Sequence, residues 1–243
     1  MEAERYIEMA EVQDRHWWFT GRKAILSEML LHLDLPDNAR ILEVGCGTGA
    51  NLAMLQAHGA VFGIEMDDFA REHAKALSGA TIEYGRVPDV IPFRDQQFDL
   101  ICLFDVLEHI EEDTAALKAL SELLGPEGKI LITVPAIKWL YGHHDESLHH
   151  FRRYSRGELT RTIERADLQI KQCSFFNSFL LPLAVLARVI DFIKPGNQST
   201  GMDVPSAPIN RLFHRIFSSE TPLIRRSVFP TGLSLLAVMQ KKS

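Results

Sequence analysis

The sequence of 243 residues is poor in cysteine and has no surplus of basic charge. Its three cysteines, Cys46, Cys102 and Cys173, lie far apart and form no CxxC pair. This spacing argues against a disulfide framework or a thiolate zinc site and favours a reducing compartment, so we expect a cytoplasmic protein. A net charge of -6 at pH 7 leaves no basic excess to neutralise a phosphate backbone, and we expect no nucleic acid partner.

Long apolar runs are also missing. Residues 1–19 carry charges every few positions and therefore lack the apolar core of a secretory signal. The most apolar stretch, residues 175–193, is interrupted by Asn177, Pro182 and Arg188, so its unbroken part is shorter than the ~20 residues that cross a bilayer. We therefore expect no transmembrane helix. No feature of the sequence indicates an oligomeric state.

From Arg40 onward, short β-rich runs alternate with amphipathic runs of helical length. Strands are predicted at 39–44, 60–65, 81–85, 98–104, 129–135, 170–176 and 232–240. Helices are predicted at about 51–58, 68–78 and 112–124, where Gly125, Pro126 and Gly128 follow, and from a capping box of Ser155 and Glu158 to Ala166. This alternation is typical of an α/β protein with helices on both faces of a parallel sheet.

A glycine-rich turn follows the first predicted strand. The run EVGCGTG places Gly45, Gly47 and Gly49 at alternate positions, just before a predicted helix. Glycine permits a sharp turn and leaves backbone N–H groups uncovered for a ligand. With Ala50, the spacing also satisfies the G-x-G-x-x-A form of nicotinamide-binding sheets. The turn therefore predicts a bound cofactor but leaves two cofactors open.

The surroundings of this turn favour one of them. Glu43 precedes the first glycine, Glu65 ends the second strand, and FDLI and DVLEHI span the fourth strand and its exit. Together these features resemble the class I S-adenosylmethionine-dependent methyltransferases over residues 38–176. The segments HWWF and HDESLHHFRRYS are similar to a bacterial subgroup of them. The resemblance implies a Rossmann-like doubly wound, mostly parallel seven-stranded sheet with the last strand antiparallel, and S-adenosylmethionine as cofactor.

Several residues acquire predicted cofactor contacts from this reading. Glu65 is placed to accept hydrogen bonds from two ribose hydroxyls, and Met66 to lie against the adenine. Many relatives have Gly-Asp after the third strand, and the acid accepts a hydrogen bond from the adenine amine. This chain has Gly85 and Arg86, and arginine cannot accept a hydrogen bond. We therefore predict that backbone near Val87, or Asp89, contacts the adenine. The groups predicted at the methionine end are Glu43 and Asp105 for the ammonium and Arg22 for the carboxylate. The plainer alternatives are helix caps and surface charges.

Catalytic candidates cluster after the fifth strand, where such sheets bind substrates. We predict His144 as a general base, with Asp145 fixing an imidazole tautomer and His150 in the same site; a structural role is the alternative. The segment could also supply metal ligands through His143, His144, Asp145, Glu146, His149 and His150. Adjacent residues point in different directions, however, and we predict no metal site.

The predicted organisation has four parts. They are an N-terminal helical cap (1–37), the S-adenosylmethionine-binding core (38–176), a helical insertion or lid (177–232) with a flexible loop near 194–208, and the final strand (233–243). The insertion carries more apolar material than a strand connection needs. We expect it to pack as a lid or to form a hydrophobic entrance lined by Phe175, Phe179, Leu183 and Leu186, with peripheral membrane contact.

The sequence therefore predicts a methyltransferase that acts on oxygen or nitrogen of a small-molecule or lipid-linked acceptor. Three alternatives stay open: a nicotinamide-dependent oxidoreductase, a catalytically silent S-adenosylmethionine-binding subunit, and an aminopropyl transferase. The last fits poorly, because Arg152, Arg153 and Arg156 give a basic segment where a polyamine would need acids.

Overall fold

The computed structural model describes residues 3–193, 203–226 and 229–242, and a seven-stranded sheet forms its centre. The strands are β1 (Ala39–Val44), β2 (Gly59–Glu65), β3 (Thr81–Tyr84), β4 (Phe98–Phe104), β5 (Leu124–Pro135), β6 (Leu168–Phe176) and β7 (Ser234–Lys241). Their order is β3-β2-β1-β4-β5-β7-β6, and β7 runs antiparallel to both its neighbours while the other pairs are parallel. The predicted fold class is confirmed.

Helices cover both faces of this sheet. They are α1 (Ala3–Val12), α2 (Trp17–Leu30), α3 (Leu52–Gln56), α4 (Asp68–Ser78), α5 (Asp113–Ser121), α6 (His143–Ser147), α7 (Arg156–Arg165), α8 (Leu181–Ile193), α9 (Ala207–Ser218) and α10 (Thr221–Ile224), with 3₁₀ turns at Leu107–His109 and Lys138–Leu140. Successive strand residues point to opposite faces, so Ile41 joins the apolar cluster under α2 while Leu42 joins the one under α5.

The predicted helix at 112–124 is wrong at its C-terminal end. Helix α5 ends at Ser121, and β5 already begins at Leu124. Leu124 pairs with Phe98 of β4 and is fully buried there. Gly125 therefore lies within the strand instead of ending a helix, because pairing and burial outweigh local helical periodicity. By contrast, the predicted capping box at Ser155 is present, with the Glu158 side chain bonded back to the cap.

The N-terminal helices and the insertion pack on one another. In α2, a Cβ on Gly21 would collide with the ring of Phe217 in α9, so only glycine permits this close approach. The Trp17 backbone N–H donates to the Asn210 side chain at 2.9 Å. Helices α8, α9 and α10 lie within the predicted insertion, whereas residues 194–202 of the predicted flexible loop fall outside the described residues. Among the described helices, none is long and apolar enough to cross a membrane.

Candidate active site

The glycine turn lies at the carboxyl edge of the sheet, between β1 and α3. Gly45, Gly47 and Gly49 all adopt positive φ, at +65°, +53° and +90°. The N–H groups of Gly45 and Cys46 donate to the carbonyl of Ile64 at the end of β2, at 2.7 and 3.2 Å. The turn is thus fixed to the neighbouring strand, and its shape does not depend on a ligand.

Only one of the three glycines faces open space. A Cβ on Gly45 would approach Val106 to 2.7 Å, and one on Gly49 would lie 3.1 Å from the backbone of Ala74. At Gly47, no described atom lies within 4 Å of such a Cβ. The space in front of Gly47 is therefore the part of the loop that can receive the cofactor.

Glu65 closes this loop from the end of β2. One carboxylate oxygen accepts the N–H of Gly47 at 2.8 Å, and the other accepts the N–H of Asp67 at 2.9 Å. The hydroxyl of Tyr6 lies 3.5 Å from the second oxygen. Burial raises the pKa of Glu65, and these backbone donors oppose the rise. The Glu65 carboxylate lies at the end of β2, where the ribose contact is predicted. Each of its two oxygens accepts a hydrogen bond from a different backbone N–H group.

Helix α1 reaches over the same loop. Tyr6 approaches Glu65, and the Gln13 side chain, just beyond the helix, accepts the hydroxyl proton of Thr48 at 2.6 Å. The sequence predicts an N-terminal helical cap but does not single out Tyr6 or Gln13. No spacing motif links either residue to the loop, since the contacts arise from how α1 packs against α4.

Glu43, on β1, has one satisfied and one unsatisfied oxygen. The first accepts the Asn51 side-chain N–H at 2.7 Å, and the second has no partner within the part of the chain that the structure describes. Burial raises the pKa of Glu43 to about 7, although Asn51 and Arg22 favour the ionised form. A buried, half-satisfied carboxylate fits a cationic donor, as the predicted ammonium contact requires.

Arg22, which is buried, and Asp105, which is partly buried, form an ion pair beside this carboxylate. The guanidinium of Arg22 donates to Asp105 and lies 4.5 Å from the centre of the Trp18 ring. Both residues are predicted to meet the methionine end of the cofactor, and the structure brings them into direct contact. The HWWF segment acts here by stacking Trp18 on Arg22.

The predicted adenine contacts lie at the rim. Met66 is 55% exposed at the end of β2, and Val87 is buried in the turn after β3. Arg86 and Asp89 pair with each other at 2.9 Å and both remain more than half exposed. An adenine ring would therefore meet an exposed thioether and backbone on this side. These contacts stay predictions.

A second group of polar side chains lies beyond β4 and β5. Asp145 is fully buried and accepts from His150 Nδ1 at 2.9 Å, Arg153 Nε at 2.8 Å and the Gly142 N–H at 3.0 Å. Burial alone would raise the pKa of Asp145, but these bonds outweigh it and hold the pKa below its usual range. An ionised Asp145 can only accept, so His150 carries its proton on Nδ1 and directs the Nε2 lone pair away from Asp145.

The Nε2 atom of His150 faces Glu108 and His109, and we call these three residues the acid–imidazole cluster. Glu108 lies 4.0 Å from Nε2, is fully buried, and has no partner for either oxygen among the described side chains and backbone. Burial, followed by the charge of Asp105, raises the pKa of Glu108 well above its usual range. The His109 ring lies 4.6 Å from that of His150, and burial and this neighbour lower the pKa of His109 to about 3.

The structure brings His150 and Asp145 together, as their joint prediction requires. The side chain of His144, the predicted base, lies outside the described residues, so that assignment stays a prediction. Sequence reasoning missed Glu108, although it stands in DVLEHI. The available signal was its position three residues after Asp105, which a 3₁₀ turn brings to the same edge.

The fold and loop together define a class of protein. A β1 glycine turn, an acid ending β2 and an antiparallel last strand are the arrangement that the class I methyltransferase resemblance implies, and the structure places that strand between β5 and β6. The chain belongs to the methyltransferase domain family, whose model matches residues 15–172.

Individual relatives agree with this membership. The chain is 26% identical over 189 residues to the ubiquinone biosynthesis O-methyltransferase of Neisseria meningitidis serogroup C, covering 66% of this chain and 79% of that protein. An uncharacterized methyltransferase of Staphylococcus carnosus is 38% identical over 109 residues, or 44% and 52% of the two chains. A TehB-like methyltransferase of Corynebacterium glutamicum, at 20% identity, shares the fold with a TM-score of 0.55, covering 89% and 87% of the chains.

The protein is therefore an S-adenosylmethionine-dependent methyltransferase, and the predicted cofactor is confirmed. The nicotinamide alternative has no support in these comparisons. The residues also fit the cofactor on independent grounds, since Gly47 faces open space and one oxygen of Glu43 lacks a partner among the described residues.

Proposed function

We propose that this protein transfers a methyl group to a hydroxyl oxygen of a small, largely apolar acceptor. The observation that carries the proposal is the acid–imidazole cluster, which adjoins the predicted methionine end of the cofactor. Asp105 belongs to the Arg22 pair, and Glu108 follows it three residues later on the same turn. A hydroxyl beside Nε2 of His150 would thus lie next to the reactive end of the cofactor.

In this proposal, different residues bind different parts of the cofactor. The Gly47 turn receives the methionine portion, Glu65 accepts from the ribose, and Glu43 and Asp105 bind the ammonium. Arg22 binds the carboxylate, and Met66 and Val87 border the adenine. When bound, S-adenosylmethionine supplies an electrophilic methyl group on a cationic sulfur. The new C–O bond forms as the C–S bond breaks, so holding the acceptor in line is a large share of the chemistry.

The acceptor half removes a proton. Asp145 fixes the tautomer of His150, which leaves Nε2 free to take the hydroxyl proton. A phenol is a far stronger acid than an aliphatic alcohol, so an imidazole base is better matched to a phenol. The relatives named as O-methyltransferases point to the same acceptor atom. We therefore favour oxygen over nitrogen and a phenolic hydroxyl over other alcohols.

Methyl transfer from labelled cofactor to a panel of phenols and amines, with and without apolar chains, tests the proposal. His150→Gln should lower turnover of the preferred phenol by about 10²–10⁴-fold while cofactor binding stays unchanged. His58→Gln changes a histidine beside the amino end of β2 and serves as the control. Exclusive methylation of amines, or full activity of His150→Gln, would refute the assignment.

We also propose that an apolar acceptor arrives through an exposed surface of the insertion. This insertion surface consists of side chains that are 45–55% exposed, namely Phe179, Leu183, Leu186, Val189, Ile190, Ile209 and Leu212. Seven exposed apolar groups within one insertion, six of them on α8 and α9, are typical of an interaction site. A purely buried lid does not account for them.

Basic residues border part of this insertion surface. Arg211 and Arg215 are exposed one turn apart on α9 beside Leu212, which suits anionic lipid headgroups. Two other basic residues of the insertion do not border it: Arg188 donates to the carbonyl of Tyr141, and Arg225 lies 3.6 Å from Glu28. These two serve internal contacts, since the helices fold back on the body of the protein.

Flotation with anionic and neutral vesicles tests the membrane contact. The double variant Leu186→Ser and Leu212→Ser should abolish binding to anionic vesicles. The control double variant, Leu31→Ser and Leu77→Ser, removes two leucines that are 67% and 57% exposed elsewhere. If no vesicle binds the unmodified protein, or if both double variants bind equally, the insertion surface does not meet a membrane.

A further inference from the structure

We propose that Glu108, His109 and His150 form a binding site for one divalent transition-metal cation. The inference rests on the proposed function, because the cation would act on the acceptor hydroxyl at that site. One ligand atom from each of the three residues lies within 4.8 Å of the other two. Zinc lies about 2.0–2.2 Å from such ligands, so ligand atoms around it are up to roughly 4 Å apart. A small side-chain rotation closes the difference.

The carboxylate of Glu108 is the strongest single observation. Both of its oxygens are buried without a partner among residues 3–193, 203–226 and 229–242. A buried polar group without a partner is costly, and native proteins retain few of them without a reason. A bound cation would satisfy this carboxylate where no protein donor does.

The two imidazoles are already held in place for coordination. Asp145 binds Nδ1 of His150 at 2.9 Å, and this leaves Nε2 as the coordinating atom. The ring of His109 lies beside the backbone of Leu148 and 4.6 Å from the ring of His150. Metal-binding histidines characteristically donate their second nitrogen to a carboxylate or a carbonyl. His150 shows that arrangement.

The surrounding charges leave room for a cation. Asp105 is paired with Arg22, and Asp145 with Arg153, so these acids are locally compensated. Glu108 is the remaining acid of the group, and neither of its oxygens has a hydrogen-bond partner in the described part of the chain, although His150 lies 4.0 Å away. Two imidazoles and one carboxylate favour zinc, cobalt, nickel or iron over magnesium or calcium, which prefer oxygen ligands.

Three protein ligands leave coordination positions open, as catalytic metal sites require. A hydroxyl bound there would lose its proton more easily, because a divalent cation lowers the pKa of bound oxygen. In this state Nε2 of His150 is a ligand, and the proton passes to solvent. The cation thus replaces His150 as the group that ionises the acceptor. The methyl transfer itself is unchanged, since the new C–O bond still forms as the C–S bond of the cofactor breaks.

Zinc titration of chelator-stripped protein by calorimetry tests the site, and cobalt absorption reports the ligand geometry. We expect the unmodified protein to bind one zinc ion per chain. Glu108→Gln should weaken zinc binding by more than the roughly 10–100-fold that loss of an outer-shell partner costs. It replaces a buried unpaired acid with a neutral isostere, so the fold should survive, as a melting curve would show. Glu111→Gln, an exposed acid on the same segment, is the matched control.

The outcomes separate the site from the function. Zinc binding that Glu108→Gln loses and Glu111→Gln keeps supports the site. No zinc binding by the unmodified protein, or equal binding by Glu108→Gln, overturns it. If zinc binds as expected but no hydroxyl is methylated, the proposed function fails and the site stands. If stripped protein binds no zinc yet methylates phenols at full rate, the function stands and the site fails.

Discussion

The two halves of the active-site edge differ in how completely they are built. On the cofactor side, Glu65 bonds two backbone groups, the glycine turn is tied to β2, and α1 lies over both. On the acceptor side, Glu108 is buried without a partner among the described residues, and α8 presents apolar side chains to solvent. In our proposal, the first half is organised before its constant ligand binds, and the second half is completed when the acceptor or a cation binds.

This contrast reflects what each half must do. A loop that binds one cofactor gains affinity when its backbone groups are fixed beforehand, since less ordering is then needed on binding. The proposed acceptor site must admit an apolar molecule and remove the proton from its hydroxyl group. Unsatisfied groups and exposed apolar surface are useful there, although they cost stability.

The most severe test of the preorganised half is Gly47→Val. A β-branched residue at φ +53° is strained and would fill the open space before the loop, so S-adenosylmethionine binding by calorimetry should be lost. Gly79→Val is the control, because Gly79 has φ +65° and equally open surroundings at the end of α4, away from the loop. Undiminished binding by a folded Gly47→Val protein would remove the glycine turn from the cofactor site.

Glu65→Gln should have the next largest effect on cofactor binding. An amide cannot accept on both atoms, so a ribose hydroxyl or a backbone donor loses its partner, at a cost of about 1–3 kcal/mol. Glu83→Gln, at an exposed position in the adjacent β3, should change binding little. Isothermal titration of both variants decides, and equal affinities would mean that the ribose lies elsewhere.

Gly21→Ala tests how the insertion is anchored to the N-terminal helices. The added methyl group meets the buried ring of Phe217, and overpacking of this kind costs about 1–3 kcal/mol in the free energy of unfolding. Gly157→Ala, in α7, would meet only the Arg161 side chain at 3.5 Å and should be neutral or slightly stabilising. Denaturant unfolding compares them. Equal stability of the two variants would show that α2 and α9 separate easily.

Cofactor affinity should also depend on pH through Glu43. Its pKa of about 7 lies above the usual 4.5, so Glu43 is increasingly protonated as the pH falls below 7 and loses its attraction for an ammonium group. Affinity should therefore fall by up to about tenfold per pH unit below 7. Asn51, Arg22 and Glu65 also face this carboxylate, and Glu65 titrates as well. Glu43→Gln isolates the effect, and a pH profile identical to that of the unmodified protein would contradict it.

The same carboxylate makes a prediction for stability with the opposite sign. Since the unfolded chain loses the Glu43 proton near 4.5 and the folded chain only near 7, folding is disfavoured as the pH rises through this window. Glu43→Gln should remove that part of the pH dependence. Thermal melts between these two pH values measure it.

The sequence alone determined the sheet and the position of the glycine turn, because both follow from local patterns. The apolar runs located the strands that flank the turn to within a residue or two. In the EVGCGTG segment, a glycine stands at each of the three positions where φ is positive. Helix α4 was predicted with its observed bounds, as its amphipathic pattern and its terminal glycine agree. Local propensity and tertiary context coincide in these segments.

Only the tertiary structure decided the acceptor half. The start of β5 at Leu124 depends on pairing with Phe98, and the approach of Glu108 to His150 joins a turn after β4 to a loop after β5, 42 positions apart. The contact of Tyr6 with Glu65 likewise joins residues 59 positions apart. A sequence pattern reports which faces are apolar, whereas burial, unpaired carboxylates and exposed surfaces arise from which segments pack together.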